Sequence, residues 1–294
     1  MRTLTTARRP RCHRLALLLV LAFCGSLLAG LPRADARAMP AAPAALAAPA
    51  GVASWGEDSY GQLGDGKRLE PRYNPLARPV PGLGDIVAVA GGANFSLALR
   101  ANGTVLAWGY DQFGQLGDGV ADVSRVIASP TVVPGLGGVV AISAGITHAM
   151  ALKADGTVLT WGDDRYGQLG DGTVGSPEGD PIPKAVPGLA DVVAIAAGGT
   201  NSYAVKRDGT LLAWGNNFHG LLGNGTRSDS ISGGTPTPAA VPGVGGVVDV
   251  SIDYWHVLVL KGDGTVLSWG YNLWGQLGWD DVTSGDPAVY AKPK

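Results

Sequence analysis

The sequence predicts an all-β chain built as a β-propeller, in which small antiparallel sheets stack side by side around an axis. Three observations predict it. A Trp-Gly pair recurs at Trp55, Trp108, Trp161 and Trp214, each 53 residues after the last, and again at Trp269 after 55. The apolar runs between these pairs are four to seven residues long and punctuated by glycine, which suits strands rather than helices. Glycine supplies 46 of the 294 residues, well above the usual share of about 7%, so turns are frequent. A period of this length marks a repeat whose units cannot bury their apolar faces alone and must stack on neighbours.

The elements of the first complete unit follow in order. The stretch 75-PLARPV-80 reads as an edge strand, because proline cannot donate to a central ladder. Next, 85-DIVAVAGG-92 carries Ile and Val into a buried strand, and 95-FSLALR-100 pairs back with it. Asn102-Gly103 suits a tight hairpin with positive φ angles, and 104-TVLAWG-109 is the last strand. Asp155-Gly156, Asp208-Gly209 and Asp263-Gly264 repeat the hairpin signal, and Pro-Gly turns at 81, 134, 187 and 242 keep the same register.

On this reading four-strand blades of about 53 residues run over 73–109, 130–162, 181–215 and 236–270. Trp-Gly ends a blade, and Gly-Gln-Leu-Gly-Asp-Gly turns the chain toward the next. Outside them lie 52-VASWG-56, a last strand without predecessors, and 286-DPAVYAKPK-294, a first strand without successors. The expectation is an open or partial propeller of four complete blades plus ragged terminal strands, able to self-associate through its open edges.

The N-terminus reads differently. Arg2, Arg8, Arg9, Arg11 and Arg14 precede the apolar run 15-LALLLVLAFCGSLLAG-30 and the small-residue site Ala34-Asp35-Ala36. This is the pattern of a cleavable signal peptide over 1–36, and the run is shorter than the ~20 residues of a membrane span. Residues 37–51 are Ala/Pro-rich without a period and read as a spacer, leaving the propeller over 52–294. Export would make the protein secreted, extracellular or at the cell surface, with no stable membrane span after cleavage. Cys12 and Cys24 would leave with the signal, so no disulfide is expected. Removing 1–36 takes away six of 22 basic and one of 24 acidic residues, leaving 16 and 23 and a net charge of −7. Such a surface disfavours nucleic-acid partners.

Catalytic chemistry is not expected, because the three histidines beyond the signal, His148, His219 and His256, lie in different units with no nucleophile or metal spacing around them. Neither a metal nor a cofactor is predicted. Asp65, Asp118 and Asp171 stand alone between glycines, as turn-capping acids do, rather than in the alternating set of a calcium loop. The candidate partner-binding positions are those before the loop glycine: Tyr60, Phe113, Tyr166, His219 and Trp274. Rings repeated once per unit either line one face, ready for a protein or a glycan, or pack between blades under the turn. Loops 119–130, 172–181 and 225–236 vary most between units.

The order Trp-Gly, Gly-Gln-Leu-Gly, Val-x-x-Val-x-Ala-Gly, His-x-x-Ala-Leu and Asp-Gly-x-Val resembles the regulator of chromosome condensation repeat family over about 51–294. The chain departs from that pattern at Phe95 and Asn201, which stand where His148 and His256 do, at Leu221 in place of glutamine, and at Trp279. The resemblance implies a propeller and, together with the N-terminal signal, an exported member of bacterial type. It points to a non-enzymatic scaffold for a protein or cell-surface partner. The alternative it implies is guanine-nucleotide exchange on a small GTPase, which the export signal and the acidic surface disfavour.

Overall fold

The computed structural model describes residues 51–68, 73–175, 178–228, 234–278 and 289–294. The predicted export segment and spacer, apart from Gly51, lie outside the described residues, as does Trp279. Within them the regular structure is β-strand, and no helix is long and apolar enough to cross a membrane.

β1 (Ala53–Glu57) and β2 (Tyr73–Pro79) form a two-stranded sheet. Four four-stranded antiparallel meanders follow. The first contains β3 (Ile86–Gly91), β4 (Phe95–Arg100), β5 (Val105–Tyr110) and β6 (Val126–Val132). The second contains β7 (Val139–Ala144), β8 (His148–Lys153), β9 (Val158–Gly162) and β10 (Asp180–Ala185). The third contains β11 (Val192–Gly198), β12 (Asn201–Lys206), β13 (Leu211–Asn216) and β14 (Gly234–Ala240). The last contains β15 (Val247–Ile252), β16 (His256–Lys261), β17 (Val266–Tyr271) and β18 (Val289–Tyr290). The predicted fold class is therefore the observed one, but the strands group differently.

The proline-bearing strand closes the preceding sheet instead of opening the next. β6 pairs with β5, Leu106 opposite Val132 and Tyr110 opposite Val126, and β2 pairs with β1, Glu57 opposite Tyr73. The residues at 289–290, expected to begin a new unit, pair with β17 as the fourth strand of the last sheet. The Gly-Gln-Leu-Gly loop leaves the Trp-Gly strand and returns to it, so the passage between sheets falls at the Pro-Gly turn. Proline does sit on an edge strand, as its missing donor requires.

The hairpins also differ in detail. The Gly103 N–H donates to the Arg100 carbonyl and Arg100 N–H to the Thr104 carbonyl, while Gly103 has φ +80° and Asn102 is not among the residues at positive φ. This is a three-residue loop with one left-handed glycine. The Asn102 side chain instead accepts the Thr104 N–H at 3.0 Å.

Successive sheets pack face to face. Their main strand contacts run from β3 and β4 to β7, from β7 and β8 to β11, and from β11 and β12 to β15. Each core therefore belongs to two sheets. Leu97, Leu99 and Val105 of the first four-stranded sheet pack with Val139, Ala151 and Trp161 of the second. Tyr203, Val205 and Leu211 pack likewise with Val257, Val259 and Trp269. Among the described residues no strand contact of that size returns from the last sheet to β1 and β2, so the sheets form an open arc.

Candidate interaction face

Three hydrogen bonds recur in the Trp-Gly loops, all three in the loops after Trp55, Trp108 and Trp161. The acid or amide three residues after the tryptophan (Asp58, Asp111, Asp164, Asn217 or Asn272) accepts the N–H of the loop leucine at 3.0, 3.0, 2.9, 3.2 and 2.9 Å. The glutamine side chain accepts the N–H of the preceding ring residue, at 3.0 Å for Tyr60, 2.9 Å for Phe113, 2.8 Å for Tyr166 and 3.0 Å for Trp274. The glutamine carbonyl then receives the indole N–H of the next sheet's tryptophan: Trp108 on Gln62 at 2.8 Å, Trp161 on Gln115 and Trp214 on Gln168 at 2.9 Å. Leu221 lacks the side-chain acceptor but keeps the carbonyl, which takes Trp269 at 2.6 Å.

Close approach explains the loop glycines. A Cβ on Gly170 would lie 2.7 Å from the Trp214 indole nitrogen, and one on Gly167 would lie 2.6 Å from Pro236. Such contacts stitch the first four loops to the sheet that follows each of them, whereas the last loop has none and is held by its own hydrogen bonds.

The electrostatics follow from burial. Desolvation raises the Asp111 and Asp164 carboxyls to about 7, against the lowering effect of their backbone hydrogen bonds. Arg125 reaches Asp111 at 2.8 Å and also pairs with Asp118. His148 is wholly buried, and desolvation lowers it to about 4. Its Nε2 lies 3.0 Å from the Ser202 hydroxyl of the following sheet, and Ser202 donates to the Gln168 carbonyl at 2.8 Å. Asp65, Asp118 and Asp171 accept the N–H two residues on, at 3.0, 3.2 and 2.8 Å. These bonds cap turns.

The five ring positions do not share one environment. Tyr60 packs at 4.6 Å on Tyr110 of the next sheet. Phe113 is buried, with the Arg165 guanidinium 4.4 Å over its ring and 5.9 Å from that of Tyr166. His219 and Trp274 come together through two intermediaries: His219 meets Tyr271 at 5.3 Å and Trp255 at 6.1 Å. Trp274 stacks on Trp255 at 5.6 Å and meets Tyr271 edge-on at 5.7 Å. Trp274 is 70% exposed, and Tyr254, edge-on to Trp255 at 5.5 Å, is 54% exposed, so this cluster is open to solvent.

Trp255, Tyr254 and Tyr271 were not among the sequence candidates. The signal was present in the repeat register, where Tyr254 and Trp255 fall at the positions of Ala93-Asn94, Ile146-Thr147 and Gly199-Thr200. A pair of large rings replacing non-aromatic residues in one unit alone marks a surface that packing does not demand.

Comparison with known proteins agrees with this architecture. The regulator of chromosome condensation (RCC1) repeat matches at residues 51–99, 102–152, 155–205 and 208–260. The chain is 34% identical over 239 residues to the human E3 ubiquitin-protein ligase HERC2, covering 78% of this chain and 5% of HERC2. It is 32% identical over 238 residues to the ultraviolet-B receptor UVR8 of Arabidopsis thaliana, covering 79% of this chain and 51% of UVR8. Among solved structures, Prp20p of Saccharomyces cerevisiae, described with its binding to Gsp1p and histones, superposes with a TM-score of 0.64 at 26% identity, covering 76% of this chain and 53% of Prp20p.

Two expectations change. Repeats of this kind stand in a protein named as a ligase, which overturns the prediction of a chain unconnected with enzymes; the evident reason is that a search for catalytic side chains inside the repeats cannot register an activity of a protein of which they match 5%. The relatives named above are eukaryotic, so the bacterial-type character inferred with the resemblance receives no support from them. RCC1-like repeats imply a protein-interaction scaffold or an exchange-factor-like role. With four repeats matched end to end, the chain belongs to the regulator of chromosome condensation repeat family.

Proposed function

We propose that this chain is an exported scaffold that binds a protein partner, extracellular or on a cell surface, through the rings at the end of the arc. The observation that carries the proposal is the solvent-open cluster of Trp255, Tyr271 and Trp274, set on a loop frame fixed by repeated hydrogen bonds. Large aromatic side chains on a rigid support offer broad apolar contact at small entropic cost, which is how interface hot spots are built. Export is supported by the basic, apolar and small-residue order of residues 1–36. The binding of proteins ascribed to Prp20p supports a protein as the partner class.

The test is capture from the extracellular fraction with the full chain and with Trp255→Ala, both checked for the same unfolding midpoint. Loss of one captured protein with Trp255→Ala, at least tenfold by quantitative mass spectrometry, is expected. Identical capture by both proteins removes the aromatic face from the proposal, and retention of residues 1–36 on a cytoplasmic product removes export. The likeness to Prp20p favours a second reading, exchange on a small GTPase. Accelerated nucleotide release from a GTPase in the presence of the chain would select it.

A further inference from the structure

The C-terminal end of the arc carries the receiving half of the contact that joins interior sheets, and the N-terminal end carries the tryptophan and proline of the inserting half without a counterpart of the strand that β7, β11 and β15 supply. We propose that the two ends bind each other between molecules, so that the occupant of each end is a second copy of this chain, arranged head to tail.

The receiving half lies at the C-terminal end. Leu258, Leu260 and Val266 stand in the repeat register of Leu97, Leu99 and Val105, which are 0, 1 and 0% exposed against the next sheet. In the last sheet the same three positions are 38, 41 and 58% exposed. The loop above them is built for a tryptophan. Gly275 and Gly278 keep the left-handed φ angles of +75° and +77°, yet a Cβ on either would meet nothing within 4 Å. In the interior loops the equivalent glycines are in tight contact with the following sheet, and the carbonyl equivalent to that of Gln276 accepts its indole.

The inserting half lies at the N-terminal end. Trp55 is 55% exposed, whereas Trp161, Trp214 and Trp269 are fully buried under the loop of the preceding unit. Beside it, Pro75 of β2 stands 20 residues on, as Pro181 stands from Trp161. A Cβ on Gly114 would lie 2.4 Å from Pro181, so Pro75 is the surface that Gly275 is shaped to approach. Docking places the Trp55 indole N–H on the Gln276 carbonyl of another molecule and its ring on the Leu258, Leu260 and Val266 face. The N-terminal sheet has two strands where an interior one has four, so the contact is partial and the association weak. Because the joined surfaces differ, the interface is heterologous and extends into chains of copies rather than stopping at a symmetric dimer.

Sedimentation velocity on the full chain tests this. The weight-average mass is expected to rise with concentration through the micromolar range. Trp55→Ala removes the inserting ring, and Gly278→Asn keeps the left-handed backbone, which asparagine tolerates, while filling the receiving site. Each variant alone is expected to sediment as a monomer. An equimolar mixture is expected to form a dimer and nothing larger, because one copy retains its head and the other its tail. If Gly278→Asn does not fold, Leu260→Asp on the same face replaces it. A monomeric wild type, association that survives both substitutions, or a mixture that stays monomeric overturns the proposal. Trp255 is intact in all these variants, so the outcome is independent of the partner capture above.

Discussion

The middle of the arc and its two ends use the same residues to different effect. Trp161 lies between two sheets, donates to Gln115 and is covered on every side, while Trp55, identical in type and repeat position, is 55% exposed. Leu99 is almost wholly buried, and its counterpart Leu260 is 41% exposed. The strand-forming pattern around each pair is alike, so the difference comes from the neighbour. A blade here is a set of instructions for half of two cores, and its stability resides in the interface.

The strongest way to break this comparison is to delete both tryptophans separately. Trp161→Ala should lower unfolding stability by about 3–5 kcal/mol, the range for removing a large buried ring, with the orphaned Gln115 carbonyl adding to the loss. Trp55→Ala should fall within about 0.5 kcal/mol of wild type at low protein concentration, as exposed substitutions do. Denaturant titrations of the two variants, read at equal slope, check both figures. Equal losses would mean that the strands hold themselves and that stacking contributes little.

The comparison also shows why some of the molecule was legible in the sequence and some was not. The interval from Trp108 to Trp161 to Trp214 is set by an obligatory contact, tryptophan to preceding loop, so it survives as a rigid period. The sheet to which a strand belongs is a different matter. Period alone cannot say whether 126–132 looks back to β5 or forward to β7, since either grouping repeats every 53 residues. Hydrogen-bond pairing decides it. The ring positions were legible as a series because in four of the five the N–H is tied to a glutamine side chain two residues on, His219 with Leu221 being the exception. Their exposure was not, because it depends on whether another sheet follows. Tyr254 and Trp255 break the period, and a reading that seeks what recurs passes over what does not.

A pH series sharpens the comparison inside the loops. Asp111 and Asp164 are raised to about 7 by burial, while Asn217 and Asn272 make the same leucine N–H bond without a charge. A carboxyl whose folded pKa exceeds its unfolded value stabilises the fold fully below the unfolded pKa, near 4, and loses that contribution as pH rises through about 7. Asp164→Asn should therefore change little at pH 4 and gain on wild type by pH 8, on the order of 1–4 kcal/mol. Asp111→Asn should show a similar pH-dependent gain, because its carboxyl is raised as far as that of Asp164 even with the Arg125 guanidinium at 2.8 Å pulling it down. His148, lowered to about 4, acts with the opposite sign: its contribution is present above about 6.5 and is lost as pH falls toward 4. Midpoints from pH 4 to 8 that move in parallel for wild type and Asp164→Asn would remove the buried carboxyl as a source of pH dependence.

The smallest expected effect is the control for the whole comparison. Asp85 and Asp191 are non-glycine residues at φ +55° and +57°, and the same repeat position holds Gly138 at +67° and Gly246 at +68°. Left-handed backbone disfavours any residue with a Cβ, aspartate less than most, so Asp→Gly relieves strain in the folded chain while adding freedom to the unfolded one. Both substitutions should raise stability by no more than about 1 kcal/mol. Because φ strain is local to one peptide, the gain should be the same for Asp85 near the N-terminal end and Asp191 in the interior. Tryptophan deletions that differ by several kcal/mol between end and middle, beside Asp→Gly gains that do not differ, would locate the asymmetry in the contact between sheets and leave the conformational strain of the individual turns out of it.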